Sequence, residues 1–160
     1  MNVHFLLTFL STILLLGACT GDDERFVSYP PKFSEIRITD LNGQETIPQV
    51  GVPFIATVIQ SQHGKLLNTT RYSWSVENSH DWKHNFVQQV IYDKERTNPC
   101  DTIIANQTGS FTLQFRAIYN TSAQMKSQAI EGDLKDGTAV SYTLSPLKAV
   151  ATLRKTIVVN

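Results

Sequence analysis

The feature that most constrains the fold of this chain is a strict alternation of apolar and polar residues after Gly109. The apolar positions are Phe111, Leu113, Phe115, Ala117 and Tyr119, while Thr112, Gln114, Arg116 and Asn120 lie between them and Ile118 is the exception. Successive side chains of a β-strand point to opposite faces of its sheet. This period of two therefore predicts a strand with one buried face.

Shorter apolar or alternating runs fill much of the remaining chain. They cover residues 36–39, 52–59, 72–76, 86–92, 101–105, 139–144, 147–153 and 156–159. Turn-forming residues separate them, as at 40–43 and 62–64. Only residues 122–134 permit a helix, and their periodicity is weak. Such a series predicts an all-β fold, an antiparallel β-sandwich of about seven to nine strands.

The N-terminal segment has the pattern of an export signal. Residues 5–16 are apolar except for Thr8, Ser11 and Thr12, which is too short to cross a bilayer but suits the core of a signal peptide. Residues 16–19, Leu-Gly-Ala-Cys, resemble the lipobox of bacterial lipoproteins. The resemblance implies cleavage after Ala18, a diacylglycerol on the sulfur of Cys19 and a fatty acid such as palmitate on the new amino group.

Three acids, Asp22, Asp23 and Glu24, follow that cysteine. The acidic run resembles the export signal of Bacteroidetes surface lipoproteins, and it also suits a solvated linker. We expect a signal peptide over 1–18, a lipidated, flexible acidic tether over 19–31 and one domain over 32–160. The expected location is the outer membrane of the cell envelope, surface-exposed or facing the periplasm.

Two segments narrow the type of sandwich. Residues 71–76, Arg-Tyr-Ser-Trp-Ser-Val, resemble the strand that carries the core tryptophan in PKD-like and related immunoglobulin-like domains. Residues 109–117 resemble the Gly-x-aromatic-x-aliphatic strand of the same domains. The resemblance covers about residues 33–120 and implies an immunoglobulin-like, PKD-like fold.

Charge and cysteine content exclude several classes of protein. Fourteen basic residues balance 14 acidic ones, so no positive field attracts nucleic acid. Lipidation of Cys19 leaves Cys100 as the only thiol, which rules out a disulfide scaffold. Neither a base nor a cation lies beside Cys100 in the sequence, so we interpret it as a small buried apolar residue or a passive thiol.

The densest cluster of coordinating side chains is the segment 80–84, His-Asp-Trp-Lys-His. On a helix His80 and His84 would share a face and begin a zinc site. In a sandwich the segment is expected to be a loop, and no third ligand is evident, so no metal is predicted. Trp82 is expected to be exposed there, as a platform for sugars or an interface anchor, with His80 and His84 as further ligand contacts.

Other chemistry-bearing residues are few. Asp133 and Asp136 lie in a predicted turn, and Leu134 and Lys135 interrupt the alternation that a calcium loop requires. The chain has no nucleophile elbow, phosphate loop or His-Glu-x-x-His motif, so neither a catalytic residue nor a cofactor is predicted. Residues 101–103, Asp-Thr-Ile, resemble the O-glycosylation motif of Bacteroidetes envelope proteins, which implies modification of Thr102.

The sequence thus favours a non-catalytic lipoprotein that binds a glycan or an envelope protein. One alternative is a structural spacer or adhesin-like subunit, which would have no pocket and could expose a long edge strand able to pair with another chain. The other is a small hydrolase, which would bring acids or histidines together in a cleft.

Overall fold

The structure is a computed structural model that describes residues 24–77, 82–84, 90–91, 99–127 and 132–160. These residues form β-strands and one three-residue 3-10 turn, Glu24–Phe26, without an α-helix. The predicted all-β class with antiparallel sheets is confirmed. In chain order the strands are β1 (Val27–Ser28), β2 (Lys32–Thr39), β3 (Pro53–Gln62), β4 (Thr69–Val76), β5 (Lys83–His84), β6 (Val90–Ile91), β7 (Cys100–Ile104), β8 (Gly109–Asn120), β9 (Gln124–Met125), β10 (Gly132–Asp133), β11 (Ala139–Ser145) and β12 (Lys148–Val159).

The strands make two antiparallel sheets and one small parallel pair. The larger sheet has the order β10-β11-β12-β8-β4-β6, and the smaller has the order β2-β3-β7-β5. Strands β1 and β9 pair in parallel, with Val27 opposite Gln124. The two longest strands, β8 and β12, lie side by side at the centre of the larger sheet over their whole length.

The inward side chains of both sheets form a single core. Phe33 of β2 meets Phe115 of β8 edge to face, with ring centroids 6.4 Å apart. It also stacks on Tyr142 of β11 at 6.1 Å. Trp74 of β4 packs on the same Phe115 at 4.9 Å. Rings of β8 and β11 in the larger sheet thus contact one ring of the smaller sheet, and this packing holds the sheets face to face.

The alternation in residues 109–120 is confirmed, because Leu113, Phe115, Ala117 and Tyr119 are buried in β8. Near the C-terminus the structure differs from the prediction. The runs 147–153 and 156–159 belong to one strand, β12, although charged residues separate them. Arg154 is exposed and Lys155 is held by a carboxylate, so neither charge ends the strand.

The predicted tether over 19–31 is wrong for residues 27–31. Val27 and Ser28 form the buried strand β1, and Pro30 is also buried. The Ser28 hydroxyl donates to the carbonyl of Lys65 over 2.8 Å. The packed domain therefore begins at Val27, five residues before the predicted boundary at 32, because the small polar Ser28 finds a main-chain acceptor inside the fold.

Two further segments were predicted less well. The weak helical pattern of 122–134 does not produce a helix in its described parts, which contain β9 and β10. Of the predicted strand 86–92 the structure describes residues 90–91, which form β6.

Candidate binding groove

Two open strand edges face each other near the C-terminus. Strand β2 is the edge of the smaller sheet, and residues 155–159 of β12 pair only with β8, because β11 begins at Ala139, opposite Arg154. Between these edges lies a cleft of about 630 Å³, which we call the groove. Its lining residues are Glu35, Ile36, Arg37, Ile38, Glu45, Thr46, Ile47, Pro48, Asp136, Lys155, Thr156, Ile157, Val158 and Asn160.

The groove exists because the chain turns away from β12 just before β11. Gly137 has a φ of +77°, which favours glycine, and its N–H donates to the carbonyl of Leu134 over 2.9 Å. The N–H of Leu134 donates in turn to the carbonyl of Thr138 over 2.8 Å. This turn connects β10 to β11, and in the described part of the chain no strand lies opposite Thr156 on that side.

The alternation of an antiparallel ladder fixes where the main-chain groups of β12 point. The carbonyl of Thr112 accepts from the N–H of Glu77 over 2.9 Å and so faces β4. Its partner in β12, Thr156, then directs its N–H and C=O away from β8. Asn160 has the same parity as Thr156, and its carbonyl accepts from the N–H of Val50 on that side over 3.0 Å. Thr156 and Val158 therefore direct their main-chain groups into the groove.

Asp136 closes one end of the groove and links the two sheets. Its carboxylate accepts from the N–H of Ile36 in β2 over 3.2 Å and from the hydroxyl of Thr138 over 2.7 Å. It also accepts from the N–H of Thr138 over 3.1 Å and from the ammonium of Lys155 over 2.5 Å. Four donors on two oxygens make this carboxylate a structural clamp, with little acceptor capacity left for a ligand.

The environment of Asp136 shifts its pKa in two directions. Burial raises the pKa, but the hydrogen bonds from Lys155 and Thr138 outweigh that effect and hold the pKa below its ordinary value of 3.8. The side chains of Asp136 and Lys155 are only 18% and 19% exposed. The ion pair is therefore present at neutral pH and is shielded from much of the solvent.

The loop between β2 and β3 closes the other end of the groove. The N–H of Thr46 donates to the carbonyl of Ile38 over 3.4 Å, and the N–H of Asn160 donates to the carbonyl of Pro48 over 2.9 Å. The loop is thus tied to both strands. Its Ile47 side chain is 60% exposed at the rim, and that of Val158 on β12 is 56% exposed.

Six of the 14 lining residues are apolar, namely Ile36, Ile38, Ile47, Pro48, Ile157 and Val158, and both cations of the lining are already paired. The guanidinium of Arg37 contacts the carboxylate of Glu35, as Lys155 contacts Asp136. Among the described lining residues none is aromatic. The groove therefore offers main-chain donors and acceptors beside aliphatic side chains, without a cation held ready for a phosphate or a ring on which a sugar could stack.

The prediction that Trp82 is exposed is wrong. Its side chain is 7% exposed and packs against Phe111 of β8, with ring centroids 4.7 Å apart at 63°. Strand β8 carries two phenylalanines on one face, and Trp74 covers Phe115 while Trp82 covers Phe111. The core thus uses both tryptophans, and Trp82 offers no surface to a ligand.

The predicted histidine contacts are only partly described. His80 lies outside the described residues, and of His84 the structure describes only the backbone, which lies in β5 and pairs with Ile103 of β7. Within the described ranges, no group of three or more His, Cys, Asp or Glu side chains lies close enough to hold a metal ion.

The two acids of the predicted 133–136 turn have different surroundings. Asp133 is exposed in β10, whereas Asp136 is clamped at the groove. Because its oxygens are occupied by donors, Asp136 is not available as a calcium ligand or as an acid facing a second carboxylate.

Strand β7 holds the remaining two sequence candidates. Its side chains alternate, so Asp101 and Ile103 are buried while Cys100 is exposed, which contradicts a buried Cys100. Thr102 pairs with Ile55 and is half-buried on the outer face. Its O-glycosylation remains a prediction, and Cys19 lies outside the described residues.

Neither Lys155 nor the groove around it was predicted from the sequence. The inward residues of β12 are Ala149, Ala151, Leu153, Ile157 and Val159, and Lys155 shares their parity. A lysine at an inward position needs a buried partner or an opening in the core. This interruption was the one feature of the sequence from which the groove could have been inferred.

Comparison of the chain with protein-family models, with curated proteins and with solved structures found no match. Among the residues that the structure describes, no helix has the length and apolar character needed to cross a membrane.

Proposed function

We propose that this chain is a lipid-anchored, non-catalytic binding module of the bacterial cell envelope that holds its ligand in the groove. The observation that carries the proposal is the cleft of about 630 Å³ between the two open strand edges, a volume typical of ligand sites. The lipobox-like residues 16–19 supply the anchor through Cys19. An immunoglobulin-like, PKD-like sandwich of a Bacteroidetes-type outer-membrane lipoprotein is the family we infer from the sequence.

The position of the groove suits a protein that is held at one end. The described chain begins beside β9, where the N–H of Met125 donates to the carbonyl of Pro146 over 2.7 Å, next to the first residue of β12. The groove lies at the last residues of the same strand. Twelve residues of β-strand span about 40 Å, so an anchor at Cys19 would leave the groove facing away from the membrane.

The chemistry of the groove supports binding over catalysis. A general acid or base needs a proton that it can exchange with a substrate. Asp136 is instead held ionised by Lys155 and Thr138, and its oxygens already accept from protein donors. The carboxylate stabilises the shape of the groove, and the ligand contacts are left to main-chain and aliphatic groups.

A structural role in an envelope complex, as a spacer or adhesin-like subunit, is the second candidate. It is favoured by the open edge of residues 155–159, since an unpaired strand edge can accept a strand from another chain. The two candidates share the groove and differ in whether the partner is transient or permanent.

The first experiment measures the intact mass of the protein from its own cells, together with its digestion by external protease. We expect the mass of residues 19–160 plus a diacylglycerol and an acyl chain. The variant Cys19→Ser should lose the lipid, while its circular dichroism matches that of the unlipidated wild-type chain. A wild-type mass without lipid would refute the anchor. Digestion in intact cells would assign surface display, and protection would assign a periplasmic orientation.

A further inference from the structure

We infer that the groove binds an extended, partly apolar and non-acidic peptide segment of a partner protein, which adds as a strand to the open edge of β12. The inference rests on the proposed function and deepens it by naming the ligand class. Its first support is the main chain of Thr156 and Val158, which directs donors and acceptors into the groove at alternate residues. A row of that spacing is complementary to the backbone of another β-strand.

The smaller sheet adds a second edge to the same cleft. The N–H of Ile36 is occupied by Asp136, and the carbonyl of Ile38 accepts from Thr46. Both main-chain groups therefore face away from β3, which is the side on which β2 lines the groove. Since side-chain and loop groups already occupy these positions, we assign the new pairing to β12 and treat β2 as the aliphatic wall.

The side chains of the groove favour a partly apolar peptide and disfavour an acidic one, because the lining holds three carboxylates, on Glu35, Glu45 and Asp136, and two cations. Ile47 and Val158 are exposed at the rim by 60% and 56%, so a ligand that covers them removes apolar surface from water. The cations Arg37 and Lys155 are each paired with a carboxylate of the same lining. An acidic peptide or a phosphate would have to break one of these pairs.

The same lining disfavours a glycan. Sugars are commonly bound by stacking on exposed aromatic rings, and the described lining of the groove contains none. The two tryptophans are buried at 6% and 7% exposure in the core. A peptide is therefore the ligand that the main-chain geometry and the side-chain chemistry favour together.

The chain's own tether cannot fill the groove once the signal peptide is removed. Residues 19–23 would then precede Glu24, and five residues span at most about 18 Å. Lys148 lies near the start of the described chain. Eight residues of strand, or about 27 Å, separate it from Thr156 in the groove. The tether is therefore too short to reach Thr156, and we assign the added strand to a partner protein.

The test is a titration of the purified, isotope-labelled full chain with the capped hexapeptide acetyl-Thr-Val-Thr-Val-Thr-Val-amide, followed by NMR. The control peptide has the same sequence with alternate backbone nitrogens methylated, which removes the pairing donors. We expect shifts confined to residues 36–38, 46–48 and 155–160, and at least tenfold slower amide exchange at Thr156 and Val158. The methylated peptide should produce neither change.

A pair of variants examines the same edge from the side of the protein. Val158→Pro removes a main-chain N–H that faces the groove and not β8, a position where an edge strand tolerates proline. It should abolish the slowed exchange at Thr156, while Val158→Thr retains it. If Val158→Pro fails to fold, the methylated peptide still provides the comparison.

Three results would overturn the inference: no protection of Thr156 and Val158 at 5 mM peptide, equal effects of the two peptides, or shifts centred elsewhere. Protection by the neutral oligosaccharide cellohexaose in place of the peptide would overturn it in favour of a glycan. The intact mass of the same sample reports on Cys19 independently. The anchor and the peptide site can therefore fail separately.

Discussion

The two halves of β12 have the same alternating pattern but different neighbours. Residues 148–154 have β8 on one side and β11 on the other, whereas residues 155–159 have only β8. The paired half buries Ala149, Ala151 and Leu153 completely, and the open half carries the inward Lys155 and the exposed Val158. The strand thus contributes inward side chains to the core in both halves, Ile157 and Val159 included, and offers an open edge only in its second half.

A short turn can thus create a surface site without changing the strand beside it. The turn at Gly137 ends the cover that β11 gives to β12. Asp136 in that turn then compensates for the missing strand by bonding Ile36 and Lys155. The loss of ladder hydrogen bonds is thereby confined to a few residues that face the groove.

Amide hydrogen exchange should reveal the largest difference between the two halves. The N–H groups of Thr152 and Arg154 face β11, and those of Thr156 and Val158 face the groove by the same parity. Amides in a central ladder exchange only on large-scale opening. We expect exchange at Thr156 and Val158 to be at least about 1000-fold faster, which corresponds to about 4 kcal/mol of protection. Equal protection would mean that another segment already covers the open edge.

Truncating a buried side chain in the first half of β12 should lower the free energy of unfolding by several kcal/mol more than truncating an exposed one in the second half. Leu153 is completely buried, so Leu153→Ala should lower the free energy of unfolding by about 2–5 kcal/mol in urea titrations. Val158 is 56% exposed, so Val158→Ala should change it by no more than about 0.5 kcal/mol. A large loss for Val158→Ala would contradict the solvent-facing position of its side chain.

Removal of the clamp charge should have a moderate effect. Asp136→Asn abolishes the ion pair with Lys155 and leaves one acceptor oxygen for the donors of Ile36 and Thr138. We expect a loss of about 1.5–3 kcal/mol in the free energy of unfolding.

The matched control for that clamp is the pair in the other half of the strand, Arg154 with Glu77, whose atoms are 2.7 Å apart. Its side chains are 48% and 39% exposed. Glu77→Gln should therefore cost no more than about 0.5 kcal/mol. If Glu77→Gln were the more costly variant of the two, the clamp would not be what holds the groove end together.

The pH dependence of the clamp should be the smallest effect. The pKa of Asp136 is lowered in the folded protein, so the carboxylate stabilises the fold above its unfolded pKa, and this contribution is lost as the pH falls through the folded pKa. The difference in stability between the wild type and Asp136→Asn should therefore be constant above about pH 5 and shrink toward pH 3. A difference that grows on acidification would show that the pKa is raised.

The sequence predicted the strands that bury one complete face. Residues 109–120 alternate so regularly that β8 was placed at its observed start, and Tyr72 and Trp74 placed the inward face of β4 in the same way. The period of a strand is a local property, so it can be read from the chain alone.

Features that depend on neighbours were predicted poorly. The exposure of Trp82 depends on Phe111, a ring 29 residues away in the chain. The open half of β12 depends on where β11 begins, and the turn at Gly137 determines that. Lys155 at an inward position was a local indication of the groove. Its partner Asp136 lies 19 residues earlier in the chain, and that partner became recognisable only when the strands were paired.

The contacts that complete this fold join residues far apart in the chain, which bears on how fast it folds. Val27 pairs beside Gln124, the N–H of Ile36 reaches Asp136 across 100 residues, and the hydroxyl of Tyr142 reaches the carbonyl of Pro31 across 111. All-β proteins dominated by such non-local pairings fold in milliseconds to seconds, orders of magnitude more slowly than helical bundles. Strand β1 cannot pair with β9, and β2 cannot gain its bond to Asp136, until the last quarter of the chain has been synthesised.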